Sequence, residues 1–470
     1  MSTLSRILSQ PVDLLGVFFQ SGFVAVACLF IVFPRPILAA EGVWKAGIAT
    51  TAVTPQKPLW MTGYGFRDRP AESAALPLHA KALALQDPRG TLAVLITVDI
   101  CGITRAITDK VAAQLQTSHG LARSAILINV SHTHCSPFIE GYLEGLREFP
   151  DSARDEIKAY RVQLEEQLIS VATHALSQLR PVQLSTSEDS AVFAVNRRNN
   201  PAAQVPERRA SGTLVGPVDY RVPVLAIRNE QHHLLGVVTS YACHNTTLNF
   251  YQWHGDYAGV AQRELESRYP GATAFFTTGC GADINPLPRG EISHVERYGS
   301  ALADAVDRAL AKVPTALTGT FASAAQDVTL AFDHFPTNEE LSQAAASNQP
   351  IDKLWAKRMQ QRLQSGDVKR SYPYPIQAWR IGTLSWLALG GEVVVDYSLR
   401  LRKENPGNLW VLGYSNDVMA YIPSERVLKE GGYEGLTSMK VYDQPSGWAT
   451  GLEDQIVTTA NTLLKKLNSD

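Results

Sequence analysis

The chain has 470 residues, of which 45% are hydrophobic and 19% charged, with a formal net charge of −2. This is the composition of a globular protein long enough to bury a large core, and it excludes a disordered or fibrous chain. No basic block and no interleaving of aromatic with basic residues is present, so nothing points to a nucleic-acid partner.

The N-terminus stands apart. Arg6 precedes the apolar run "LLGVFFQSGFVAVACLFIVF" at 14–33, and small residues Ala39 and Ala40 follow. Positive charge, apolar run and small residues together read as a secretory signal. The run is also close to the length that spans a bilayer. The expectation is an exported protein, with residues 1–40 a signal peptide or membrane anchor and 41–470 the functional domain. Cys28 lies in this leader, while Cys101, Cys135, Cys243 and Cys280 remain in the domain. Two disulfides are permitted by the count, but a domain of this size does not need them, so buried small hydrophobes are expected.

From about Val43 onward short β-branched or apolar runs alternate with helical patterns. "TLAVLITVDI" (91–100), "SAILINVSHTH" (124–134), "LLGVVTSYACH" (234–244), "ATAFFTTGCGADINP" (272–286), "IGTLSWLALGGE" (381–392) and "LWVLGYSND" (409–417) read as buried strands. Residues 151–179, 255–270, 294–313 and 451–470 carry apolar positions at helical spacing. Helix "WAKRMQQRLQ" (355–364) reads as having a solvated, charged face. The alternation predicts an α/β (mixed α+β) domain of layered mixed sheets flanked by helices. Residues 196–219 form a polar, Pro- and Gly-containing excursion, the kind of long loop that is usually functional or mobile. No internal sequence repeat is visible, and the sequence carries no signal for oligomeric state.

Chemistry gathers at the ends of these strands. "INVSHTH" ends in two imidazoles one residue apart, and residues i and i+2 of a strand share a face. Neutral imidazole is the commonest metal ligand and a good proton shuttle. His244 ends "TSYACH", Glu392 ends "LALGGE", Asp283 and Asn285 follow "FFTTGCGA", and Tyr421 follows "LWVLGY". Polar groups at the carboxyl ends of strands are where α/β folds place their sites. Two histidines and a carboxylate make a catalytic zinc set with a position left for water, whose pKa falls toward ~7. Spacing alone does not pair ligands more than a hundred residues apart.

The stretches "NVSHTHCSP", "NRR" (196–198), "YACHNTTL", "GDYAG", "GADINP", "LALGGE" and "NDVMAYIPSE", in this order, resemble the neutral, non-lysosomal ceramidases and their shorter bacterial relatives. The resemblance runs from "AGIATTAVTP" through "YIPSERV". It implies a Zn2+ cofactor on His132, His244, Glu392 and Tyr421, with Tyr433 the alternative tyrosine. It places His134 beside the metal and the scissile group, and Asn196 and Arg197 at the substrate amide, with Tyr433 also near substrate. Asp256 and Asp283 are candidates to orient ligating imidazoles, although Asp256 also reads as a plain helix cap. The activity implied is hydrolysis of the amide of a ceramide-like N-acyl lipid by zinc-activated water, with peripheral membrane contact.

Three departures qualify that expectation. Asn285 stands where the family has an essential Ser, so an amide that donates to an oxyanion replaces a hydroxyl. Cys135 stands where the family usually has Ser and raises a minor thiol-nucleophile reading. The chain ends at Asp470, which implies a member without the family's C-terminal sandwich domain. The alternatives to an amidase are a non-catalytic zinc- or lipid-binding relative and a zinc esterase on the same scaffold. His79 and His254 read as structural and loop residues, and the cluster Phe250, Tyr251 and Trp253 reads as core or as the wall of an acyl-chain groove.

Overall fold

Three stretches of chain repeat one order of elements. In the first, β1 (Lys45–Ala52), β2 (His79–Gln86) and β3 (Leu92–Val98) are followed by α1 (Arg105–His119) and β4 (Ile126–Val130). After α2 (Asp151–Ser177) the second runs β5 (Gln183–Ser190), β6 (Arg221–Arg228), β7 (Leu234–Tyr241), α3 (Asp256–Arg268) and β8 (Thr273–Thr278). After α4 (Ile292–Ala311) the third begins with β9 (Phe321–Ala331), and its connection to the next strand carries α5 (Pro350–Ser365). It continues with β10 (Ser371–Ile381), β11 (Leu384–Leu389), α6 (Asp396–Glu404) and β12 (Leu409–Leu412), and α7 (Leu452–Ser469) closes the chain. The computed structural model describes residues 43–469. The leader expected at 1–40 lies outside the described residues, and no described helix is long and apolar enough to cross a membrane.

The pairing in each unit is the same. The first three strands are antiparallel neighbours, and the last is parallel to the third (β1–β2–β3–β4, β5–β6–β7–β8, β9–β10–β11–β12). A parallel pair needs a long crossover, and one helix supplies it in each unit. Strand composition follows this topology. β4 is buried at every position, as a strand covered on both faces must be, while β5 and β9 are largely open. Helices pack on the sheets: α2 on β1 and β2, α4 on β5 and β6, and α7 on β9 and β10. The layered mixed α/β architecture expected from the sequence is the one observed, although it is built as three similar units.

The carboxyl ends of β4, β8 and β12 meet at one buried side chain. Asn129, in β4, accepts from Thr278 N of β8 (2.8 Å) and donates to the Gly413 carbonyl just past β12 (2.8 Å). Main-chain bonds from Gly413 N to Thr278 O (3.1 Å) and from Val130 N to Tyr414 O (3.3 Å) close the junction. An amide has both donors and acceptors, so one Asn can satisfy two strand ends at once.

All six runs read as strands contain one, shortened at their ends. β1, β5, β6, β9 and β10 lie outside those runs: β5 and β9 are polar in text, and Pro223, Pro373 and Pro375 interrupt β6 and β10. Residues 196–219 are mainly irregular, as expected, with one short helix at Val205–Ala210.

Candidate functional site

The site lies just beyond the junction, on residues that follow strands. His132 is two residues past β4, His244 three past β7 and Glu392 three past β11, so each unit contributes one side chain. Their ligand atoms converge. His132 Nε2 lies 3.3 Å and His244 Nε2 3.1 Å from Glu392 Oε2, all three residues being at most 3% exposed. Tyr421 Oη stands 3.3 Å from His244 Nε2, carried by a short strand that pairs in parallel with Glu392–Val393. His134 Nε2 lies 3.1 Å from His132 Nε2.

The two histidines of "SHTH" meet for a different reason from the one expected. β4 ends at Val130, and His132 has a left-handed backbone (φ 60°). Strand alternation therefore does not aim the pair; a strained turn does. Such a conformation costs a non-glycine residue on the order of 1 kcal/mol and persists where its surroundings hold it. Here His132 N donates to Ile100 O (3.0 Å) and the Nδ1 side of the ring meets Cys101 O (2.5 Å). Asp256, Tyr414 and Asn416 share the left-handed conformation.

Backbone carbonyls, not carboxylates, orient the imidazoles of His132 and His244. His132 Nδ1 faces Cys101 O, and His244 Nδ1 faces Gly281 O at 2.7 Å. This fixes a proton on each Nδ1 and leaves both Nε2 atoms facing Glu392. Asp256 and Asp283 do other work, which corrects the expectation for them. Asp256 accepts from Leu248 N (2.9 Å) and Tyr257 N (2.7 Å), pinning the loop after His244 to the start of α3. Asp283 accepts from Asn196 Nδ2 (3.0 Å) and Val395 N (2.9 Å), and burial raises its carboxyl to about 6.

Asn196 also departs from its expected place at the substrate. It is 1% exposed and committed to Asp283, to the Pro217 carbonyl (3.0 Å) and to Arg198 N (3.1 Å). Arg197 does face the cluster. Its guanidinium donates to Tyr421 Oη (3.1 Å), Asn285 Oδ1 (3.2 Å) and Glu434 Oε1 (2.7 Å). Tyr433 sits further out. Its ring centroid is 5.3 Å from that of Tyr421, and it is 47% exposed, so of these two tyrosines Tyr421 is the one at the cluster.

Electrostatics sharpen the picture. Burial alone would raise Glu392, but the His132 charge and the hydrogen bonds from both histidines hold it well below the usual carboxylate range. Burial opposes protonation of His132, yet Glu392 and the Cys101 sulfur push it up to about 10. The Glu392 carboxylate thus favours positive charge beside it. Burial, with the neighbouring imidazoles, holds His134 well below its ordinary value, and burial with Arg197 brings His244 down to about 4. Cys135 is fully buried beside Arg67, and burial lifts its thiol to about 12, which removes the thiol-nucleophile reading. Cys101, Cys135, Cys243 and Cys280 are all buried and unpaired.

Several residues at the site were not foreseen. Tyr442 donates a short hydrogen bond to Glu392 Oε1 and lies 3.4 Å from Tyr142 Oη, which reaches Cys101 O at 3.4 Å. A chain of phenols thus links the carbonyl that orients His132 to the carboxylate of Glu392. Nothing in "KVYDQP" announces this. Tyr64 packs edge-on against His134 (4.7 Å), and buried Arg67 donates to the His134 carbonyl (2.5 Å). Gly63 permits that packing, because a Cβ there would lie 2.4 Å from the His134 ring. Of the neighbouring aromatics, Trp253 is core, while Tyr251 holds Asp68 and stacks under Arg69 (3.8 Å).

His132, His244 and Glu392 form a group able to hold a metal ion, since their ligand atoms all lie within 4.8 Å of one another. Cys101, His132 and His134 also fall within that spacing. The first set carries the second ring of partners that a metal centre needs.

Residues 44–279, half of the chain, match the model of the neutral/alkaline non-lysosomal ceramidase N-terminal domain. The chain is 25% identical over 253 residues to neutral ceramidase 2 of Arabidopsis thaliana, a match covering 50% of this chain and 32% of that relative. The chain therefore spans about a third of the length of this curated relative. Its fold is similar to the crystal structure of neutral ceramidase from Pseudomonas aeruginosa, with TM-score 0.67 and 18% identity, covering 90% of this chain and 74% of that one. A ceramidase complexed with C2 is similar at TM-score 0.68 and 16% identity, with the same coverage.

Proposed function

Because the chain belongs to the neutral/alkaline non-lysosomal ceramidase family, we propose that it hydrolyses the amide bond of a ceramide-like N-acyl lipid with the help of zinc. The observation that carries this reading is the convergence of His132 Nε2 and His244 Nε2 on Glu392 Oε2, at 3.3 and 3.1 Å, with Tyr421 Oη beside them. Two imidazoles whose Nδ1 atoms are held by backbone carbonyls, one carboxylate and a phenol are a donor set that suits Zn2+. A zinc ion held there supplies Lewis acidity toward the amide carbonyl and lowers the pKa of water.

The chain's own groups do the rest. His134 is neutral at working pH, so its imidazole takes a proton from the attacking water and returns it to the leaving amine. One water is consumed, the C–N bond breaks, and a carboxylic acid and an amine leave. Arg197 hydrogen-bonds the substrate with the N–H groups it does not give to Glu434, Asn285 and Tyr421. Asp283 and Asn196 hold Arg197 in place from behind, since Arg197 N donates to Asp283 O (2.9 Å). Export, and a peripheral contact with lipid, are proposed with this substrate class.

The test is the metal content of the purified chain together with fatty-acid release from a panel of N-acyl amides and matching esters. One zinc per chain and chelator-sensitive amide turnover are expected. His132→Ala and Glu392→Ala should lose both metal and turnover, and a zinc-loaded, active variant would overturn the ligand set. Zinc with turnover of esters alone would favour the esterase reading, and zinc with no turnover a binding relative.

A further inference from the structure

We propose that Glu434 is a positioning residue that acts through Arg197 to hold the side-chain amide of Asn285 as a hydrogen-bond donor toward the carbonyl of the N-acyl substrate. The inference rests on the hydrolase reading and names how this chain manages with Asn at that position.

The argument begins with Glu434. It is 4% exposed, and its carboxylate is shared between Arg197 Nε (2.7 Å) and Arg198 NH1 (2.6 Å). Arg198 also grips Glu430 Oε2 (3.0 Å) and the Gly431 carbonyl (2.9 Å), so the segment carrying Glu434 is itself held. A guanidinium is a rigid planar fork, and fixing its Nε edge fixes where the other two nitrogens point. One of these donates to Asn285 Oδ1 (3.2 Å) and the other to Tyr421 Oη (3.1 Å), itself 3.3 Å from His244 Nε2.

Arginine offers only donors. The Asn285 group that meets it must therefore be the carbonyl oxygen, and the amide nitrogen must face the other way. The backbone of Asn285 cannot swing to change this, because Ile284–Pro286 pairs with Ala194–Asn196, with Asn285 opposite Val195. Asn285 Nδ2 has no hydrogen-bond partner among the described residues. A donor with no protein partner, held by a buried ion pair one guanidinium away from the metal cluster, is the arrangement an oxyanion requires. Without the lock, the carboxamide could turn over and present its oxygen, which repels a developing negative charge.

Four variants test this on N-acyl amide turnover, with metal content and urea unfolding measured in parallel. Asn285→Asp keeps the bond to Arg197 but loses the donor. Its kcat should fall by about 10²–10³-fold, the usual cost of one oxyanion donor, with KM and metal content little changed. Asn285→Ser keeps a donor and should stay within about tenfold of the parent. Glu434→Gln should lower kcat by about tenfold in the parent but by less than about twofold in the Asn285→Asp background, since both act through one donor. If Glu434→Gln is poorly folded, Glu434→Asp, which keeps the charge, carries the same comparison. Parent-like kcat in Asn285→Asp, or losses that multiply in the double variant, would overturn the inference and leave the hydrolase reading standing. A parent that cleaves no N-acyl amide would remove that reading and this inference with it.

Discussion

At the scale of single residues, the site is defined as much by what holds the ligands as by the ligands. Tyr442 is the clearest case, since its hydroxyl fixes one oxygen of Glu392 while His132 and His244 meet the other. Removing such a partner typically costs 10- to 100-fold in metal affinity. Tyr442→Phe should therefore bind zinc about 10- to 100-fold more weakly in a competition titration, with an unchanged unfolding curve for the metal-free chain. His254 gives a pH prediction. It is 3% exposed, accepts from Asp256 N (2.9 Å), and burial brings its imidazole down to about 4. Between about pH 6.5 and 4 the unfolded chain binds a proton there that the folded chain does not, so stability falls as pH drops through this window. The full effect is up to about 3 kcal/mol. His254→Gln, measured by urea unfolding in the presence of chelator, should show a flatter loss of stability between pH 7 and 4.5 than the parent.

At the scale of elements, the third unit shows why its strands are placed so firmly. Trp379 of β10, Trp386 of β11 and Trp410 of β12 are register partners, and their rings stack at 5.9 and 5.2 Å. All three are at most 2% exposed, so the ladder is core. Emptying a buried tryptophan site costs about 3–5 kcal/mol. Trp386→Ala should lower the urea midpoint accordingly, and Trp386→Phe by less. Because β11 leads directly to Glu392, the same substitution is expected to weaken metal binding, whereas a surface substitution on α7 is not. The loop at Gly63 belongs to this scale too. Gly63→Ala would drive a methyl into the His134 ring and into a backbone at φ 89°. Turnover should fall by more than tenfold, with metal content retained, since His134 lies outside the set of His132, His244 and Glu392.

At the scale of the whole molecule, one candidate ligand from each of three similar units means that a metal ion held by them would tie the units together. A ligand that binds only the folded chain at one hundred times its Kd adds about 2.7 kcal/mol of stability. Chelation should accordingly lower the melting temperature of the parent and leave that of His132→Ala unchanged. The junction at Asn129 does part of the same work without metal. Asn129→Leu would leave Thr278 N unpaired in the interior, at about 1–3 kcal/mol, while the Gly413 carbonyl would lose one of two donors and keep Ser415 Oγ (2.8 Å).

Chemistry and its rough location were legible in the sequence. His132, His134, His244, Glu392, Tyr421 and Arg197 could be named because strands end in polar residues and because ordered stretches resemble one family; the structure brings those six together. The class of fold was legible for a similar reason, since buried parallel strands are written as continuous apolar runs. Other features belonged to the tertiary structure alone. The threefold order of elements leaves no repeat in the text, because pairing direction is set by crossovers and not by local sequence. Asp256 and Asp283 read in sequence as candidates to orient imidazoles and Asn196 as a substrate contact, but each is satisfied by backbone or neighbouring groups that only folding places within reach. Tyr442 and Glu434 have no local signature, since a hydrogen bond across tens or hundreds of residues leaves no trace in either partner's neighbours. Local text decides which side chains are available; the three-dimensional meeting of strand ends decides which of them face one another.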